Sequence, residues 1–293
     1  MQPVIKWSGS KRSQAPAIAS YITRDYYAYW EPFCGSCAML IYILENMPDR
    51  FIEYHCSDLN QDLINAYSHI KSDPDEVAAA YQLRWHVLNQ TGRTIEEKKR
   101  YFESIRDRLN REHDPDDFIF VMRTTTNGMP RYNRNGDFNS SFHVTRDGIL
   151  PETFAGIVDE WSELLNRYDV RFECRPYDKA SPSPHDLVYL DPPYAATKGM
   201  YFGGFDQAGL YNYLKKLDCD WMMSYDGVAG TDDMTADVPA ELYKSHVLLD
   251  SGNSSFRRVI GKDRHCDVKE SLYLSFEPDE TGTQPALLQG GLP

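Results

Sequence analysis

Asp191-Pro192-Pro193-Tyr194 is the stretch of this 293-residue chain best equipped for chemistry. Two consecutive prolines fix φ twice and remove two backbone donors, so the carbonyls of the turn meet no local N–H competition. A carboxylate beside those carbonyls makes a compact set of acceptors, and the Tyr194 ring can stack on a planar base. Such a set suits a planar amine whose N–H bonds must be oriented. A rigid turn whose Asp191 merely caps the next segment would use the same residues.

A second group is Glu31-Pro32-Phe33-Cys34-Gly35-Ser36-Cys37, where an aromatic, β-compatible run gives way to helix-compatible Ala38 to Leu44. Gly35 has no Cβ, so a ligand can come close to the backbone there. Asp58 follows the next strand-like run, where a carboxylate can accept from ribose hydroxyls. It is also placed to cap a helix over Asp62 to Ile70. The later glycines of a dinucleotide GxGxxG are absent, and so is the Lys-Ser/Thr ending of a nucleotide P-loop. Near the amino terminus, Lys6-Trp7-Ser8-Gly9-Ser10-Lys11-Arg12 joins a flat ring to three cations. Trp7 suits adenine stacking and the lysines suit a carboxylate or phosphate, although a basic surface turn has the same make-up.

The six cysteines are scattered through a chain large enough to need no staples, which fits a reducing, cytoplasmic setting. Cys34 and Cys37 form a CxxC, but with no second pair this is half a zinc site, and no metal is expected. A redox pair is the other reading. The net charge of −13 argues against a protein that coats DNA nonspecifically. From Arg84 to Arg146, twelve Lys or Arg face nine Asp or Glu, a local balance of +3 that leaves −16 for the remainder. That middle segment can set a few arginines against phosphates, and ordinary fluctuation in charge gives the same figure. No window approaches a membrane span, and the amino terminus lacks the apolar stretch of a signal peptide.

Strands are expected at 26–33, 50–56, 170–174, 187–190, 221–224 and 271–276, and helices at 38–44, 62–70, 150–168 and 209–217. The four nearly continuous apolar residues Leu187 to Leu190 suit a central parallel strand. Glu76 to Asn110 reads as two helices broken at Thr91-Gly92, and the polar run Thr124 to Ser141 reads as a functional loop, an irregular hairpin or a locally disordered segment. The fold class is therefore α/β, with residues 1–65 and 165–277 building one sheet around a helix-rich insert at 66–164 and a disordered tail at 278–293. Ligands would bind in a crevice at the carboxyl edge of that sheet.

In ordered combination these motifs resemble the Dam-type (D12 class, alpha-group) adenine-N6 DNA methyltransferases, over about residues 4 to 277. The Lys-Trp turn and the cofactor turn come first, then the insert, then DPPY. Further likeness runs through Ser57-Asp58-Leu59-Asn60, Asp62-Leu63-Ile64, Arg123, Asn127-Gly128, Arg131-Tyr132-Asn133, Gly136, Phe138-Asn139 and Phe142. The resemblance implies a Rossmann-like sheet, S-adenosyl-L-methionine as cofactor and double-stranded DNA as partner. It implies Asp191, Pro192, Pro193 and Tyr194 as the catalytic group, with Trp7, Lys11, Phe33, Gly35 and Asp58 around the cofactor. Arg123, Asn127, Arg131, Asn133 and Asn139 would approach DNA, Asn139 being the one most open to a local turn role. The family pattern Phe-x-Gly-x-Gly is broken by Cys37, which would matter if that position required positive φ. Methylation of cytosine N4 or of RNA, and a degenerate DNA-binding homologue, are the alternatives.

Overall fold

The computed structural model describes residues 1–193, 205–229, 232–233, 235, 237–252 and 268–278. Tyr194 and the expected tail from 279 onward lie outside the described residues. The chain order is α1 (Ala15–Ala19), β1 (Ala28–Glu31), α2 (Ala38–Asn46), β2 (Glu53–Asp58), α3 (Gln61–Ser72), α4 (Pro74–Leu88), α5 (Ile95–Glu112), α6 (Pro115–Thr124) and α7 (Pro151–Arg167). There follow β3 (Arg171–Cys174), β4 (Leu187–Leu190), α8 (Gln207–Leu214), β5 (Asp220–Ala229), β6 (Asp232–Asp233), β7 (Ser245–Gly252) and β8 (Val268–Leu274).

One eight-stranded sheet runs β3-β2-β1-β4-β5-β8-β7, with β6 paired to β5. The pairs from β3 to β5 are parallel, whereas β8 lies antiparallel to β5 and β7. This is the expected Rossmann-like α/β architecture. Strand order reverses between β1 and β4, and in open parallel sheets such a switch point opens a crevice beyond the carboxyl ends of the strands. All four residues of β4 are buried, as a central strand covered on both faces requires. Asp186 aligns β4 with β1 by accepting from Ala28 N (3.2 Å) and Trp30 Nε1 (2.9 Å).

Between β2 and β3 the chain is helical. The break at Thr91-Gly92 is observed, and Thr94 then starts α5 with a full capping box to Glu97. Asp114 caps α6, whose length exceeds the apolar run 118–122 because both Asp116 N and Asp117 N donate to that cap. Asp117 is fully buried and receives Arg84 and Arg108, so two of the middle segment's cations serve the insert's own packing. One hydrophobic cluster extends from Val4 through Phe102, Phe118 and Phe154 to Phe276. The expected divisions after residues 65 and 164 fall inside the continuous helices α3 and α7.

Residues 125–142 form an irregular hairpin. It is tied by the bridges Thr125–Phe142 and Tyr132–Phe138, and Asn110 brackets Phe138 through its backbone N (2.8 Å) and carbonyl (3.0 Å). Strand β7 was not expected from the sequence; it is an edge strand in which His246, Leu248 and Asp250 are exposed.

Candidate active site

The turn after β1 is built from both ends. Glu31 is buried, and its Oε2 accepts from Tyr29 Oη (2.7 Å) and Leu40 N (3.0 Å), tying the strand to the first turn of α2. Burial, with the charge of Asp191 adding to it, pushes the Glu31 carboxyl up to about 8. Gly35 then takes φ +43° and Cys37 φ +53°. Cys37 therefore holds the left-handed conformation its position demands, a strain of about 1–2 kcal/mol for a residue with a Cβ. Its side chain is fully buried and its thiol is free, so the departure from glycine puts strain in the backbone rather than bulk at the surface. Burial pushes the Cys34 and Cys37 thiols up, which leaves the CxxC without a reactive thiolate.

Asp58 ends β2 and faces this turn. Its Oδ2 accepts from Gly35 N (3.2 Å) and its Oδ1 from Asn60 N (3.0 Å). Burial raises its pKa, and the backbone donors Asn60, Gly35 and Leu59 oppose that rise. Asp58 is not the cap of α3: Asn60 is, accepting from Leu63 N at 3.2 Å. Trp7 lies over Gly35, where an added Cβ would come within 3.0 Å of Trp7 Nε1. Phe33 stacks on Tyr177 with ring centroids 5.1 Å apart, and Phe205 meets its edge at 6.2 Å. Tyr177 was missed in the sequence because nothing local marks it; only the sheet brings it to Phe33.

Asp191 follows β4 on the same edge. Lys11, only 6% exposed, places Nζ 3.0 Å from Asp191 Oδ1 and 3.2 Å from Glu270 Oε2. Burial pulls the lysine pKa down, but the charges and hydrogen bonds of both carboxylates outweigh it and the net shift is upward. Pro192 is buried and Pro193 half-buried. The structure thus places Trp7, Lys11, Phe33, Gly35, Asp58 and Asp191 at one edge of the sheet, with Lys11 against the acid of the DPPY turn.

The five expected DNA residues separate. Arg123 is 4% exposed, donates to Pro3 O (3.1 Å) and lies over the Phe154 ring, because α6 continues past it. It anchors the amino terminus and is withdrawn as a DNA contact. Asn133 accepts from Asn135 N (2.8 Å) and Asp137 N (3.0 Å) and donates to Asp137 Oδ2 (2.9 Å), so its side chain shapes the hairpin tip. Asn127, Arg131 and Asn139 are exposed. Hence it is Asn133, not Asn139, that serves its own turn. Tyr132 accepts from Asn60 Nδ2 (2.6 Å), linking the hairpin to the Asp58 turn. Lys6, packed against Gly128, has its pKa lowered by burial and then by the charges of Arg123 and Arg146.

Among the described residues no helix is long and apolar enough to cross a membrane, and no cluster of three metal-ligating side chains occurs. The sequence profile of the D12 class of N6 adenine-specific DNA methyltransferases matches residues 7–248. The type II methyltransferase M.CviBI of Paramecium bursaria Chlorella virus NC1A is 26% identical over 230 residues, 73% of this chain and 79% of that protein. The retron Ec67 DNA adenine methylase of Escherichia coli is 26% identical over 223 residues, covering 74% and 73%. The type II methyltransferase M.MjaIII of Methanocaldococcus jannaschii is 28% identical over 243 residues, covering 74% and 81%. That match spans the turn after β1, the helical insert and the Asp-Pro-Pro turn, and the chain belongs to the D12 class of N6 adenine-specific DNA methyltransferases.

Proposed function

We propose that this adenine-N6 DNA methyltransferase draws its methyl group from S-adenosylmethionine and acts at a defined sequence in double-stranded DNA. The observation that carries the reading is the convergence of three turns, after β1, β2 and β4, on the switch point of the sheet. The Trp7 ring packed on Gly35, with the Asp58 carboxylate beside it, suits an adenosyl group: a flat face to stack on and an acceptor for hydroxyls. Trp7, Phe33, Gly35 and Asp58 would hold it, and Lys11 would close the site towards Asp191. Bound there, the cofactor supplies an electrophilic methyl group.

The amine to be methylated is oriented by acceptors. Asp191 and the Pro192 carbonyl take the N6 hydrogens, which draws the nitrogen lone pair out of the adenine ring and aims it at the methyl group. Neither Pro192 nor Pro193 has an N–H to compete for those acceptors. Tyr194 is the residue assigned to stack on the base, offsetting the few kcal/mol needed to flip it from the duplex. The nitrogen gains one methyl group and releases one proton, to Asp191 or to water. The insert, residues 66–164, is assigned to target recognition, with Asn127, Arg131 and Asn139 as the hairpin side chains that meet DNA.

The test is methylation of random-sequence duplex DNA with labelled S-adenosylmethionine, followed by base-resolution mapping. N6-methyladenine at one recurring sequence is expected. Label on cytosine N4, or a preference for RNA or single strands, would overturn the assignment.

A further inference from the structure

Lys11 has one more carboxylate than it needs. A single acid neutralises a buried ammonium, and bringing a second charged group to the same place costs desolvation unless it performs a task. Here Asp191 and Glu270 both contact Nζ, at 3.0 and 3.2 Å, and their side chains are 20% and 23% exposed while Lys11 is 6% exposed. The backbone around Glu270 is adapted to this contact. The β5–β8 register shifts between Tyr225 and Val228, so Asp226 and Gly227 together face Glu270 across the ladder. This is a β-bulge, a device that re-aims a side chain beside a site. Only glycine fits the bulge, because a Cβ at position 227 would fall 2.1 Å from Lys269 O and 2.8 Å from Glu270 Cα.

We propose that Glu270 is a positioning residue for methyl transfer, which holds Lys11 so that the Asp191 carboxylate stays aimed at the target amine. The proposal rests on the assignment of Asp191 to that amine. With Glu270 present the three side chains carry a net charge of −1, and the ammonium of Lys11 is shared between two acids. Asp191 then keeps more of its acceptor strength for the amine than it would in a closed ion pair. Without Glu270, Asp191 would carry more of the Lys11 ammonium.

Glu270→Gln keeps the shape and one acceptor oxygen but removes the charge. In the full-length enzyme, with saturating labelled S-adenosylmethionine and a duplex bearing the mapped sequence, kcat should fall roughly 10- to 100-fold, the range for losing a residue that orients a reactive ligand. KM for cofactor and for DNA should stay within about twofold, since neither is bound through Glu270, and Glu270→Asp should recover part of kcat. Parental kcat in Glu270→Gln, or a loss carried entirely by KM, would overturn the proposal. If the single variant fails to fold, the Lys11→Met/Glu270→Met pair removes the opposed charges together. Because Glu270 acts through Lys11, that pair should match Lys11→Met alone in kcat, and a further loss would refute the mechanism. Asp191→Asn separates the two levels. Loss of transfer there with parental Glu270→Gln rejects Glu270 alone, whereas retained transfer in Asp191→Asn rejects the assignment of Asp191.

Discussion

Replacing Gly35 with alanine should damage the cofactor cradle in two ways that can be measured separately. The backbone there sits at φ +43°, a conformation that costs a residue with a Cβ about 1–2 kcal/mol. The new methyl group would also lie 3.0 Å from Trp7 Nε1, tighter than ordinary contact, and Trp7 must give way by a few tenths of an ångström. Gly35 has little freedom to evade this, because its N–H is held by Asp58 Oδ2 and its carbonyl by Tyr67 Oη at 2.7 Å. Thermal unfolding should therefore lose about 1–2 kcal/mol of stability. Displacing the ring should weaken S-adenosylmethionine binding about tenfold in calorimetric titration, which corresponds to roughly 1.4 kcal/mol. Binding of duplex DNA without cofactor should fall less than cofactor binding, since neither Gly35 nor Trp7 is among the side chains assigned to DNA. Unchanged stability together with unchanged cofactor affinity would refute both the left-handed turn and the place of Trp7 above it.

Asp191→Ala should fold, because its side chain is a fifth exposed, yet lose most transfer at saturating cofactor; near-parental turnover would reject its role. Arg131→Ala should weaken DNA binding while sparing cofactor affinity, whereas Arg123→Ala should lower the melting temperature through a lost buried contact to Pro3 O. Comparing melting curves with DNA affinities at fixed salt checks that division, and the reverse pattern would contradict it. Glu31 titrates near 8 when folded but near 4.5 when unfolded, so the folded state retains its proton to higher pH. Stability should then decline as pH rises from about 5 to 8, by on the order of 1–3 kcal/mol, and Glu31→Gln should flatten that dependence. Denaturant melts of both proteins at pH 6 and pH 9 provide the comparison, and parallel losses would exclude Glu31 as the cause.

The three turns were legible because each pairs a strand-like run with a residue of unusual demands: Gly35 needs its freedom, Asp191 precedes two prolines, and Asp58 ends a buried strand. Their meeting at one edge followed from the α/β pattern. Partners in space were not legible. Lys11 looked like a cation for cofactor or phosphate, and only the fold shows it between Asp191 and Glu270. Only the family resemblance groups Arg123 with the hairpin; the helix capped at Asp114 runs past it and buries it. Asn133 carried a signal that was there to be read. Gly136 lies three residues on, and an asparagine that folds back on the next few backbone N–H groups is a common way to close such a tip. Strand β7 gave a weak signal because an edge strand exposes alternate residues and adds little apolar pattern.

The acidic total is reconciled with DNA modification by how the cations are partnered. Arg84 and Arg108 both meet the fully buried Asp117, so their charge is spent inside the insert. Lys6, Arg131, Arg134 and Arg146 meet no carboxylate among the described residues, and Lys6 already feels Arg123 and Arg146 as like charges. These cations without acids lie around the hairpin that Tyr132 joins to the Asp58 turn, which is where the proposed function puts the DNA. The formal charge of −13 is thus unevenly spread, with −16 lying outside residues 84–146. Were these four cations the main phosphate contacts, the salt dependence of DNA binding should be shallow, which affinities at several salt concentrations would check.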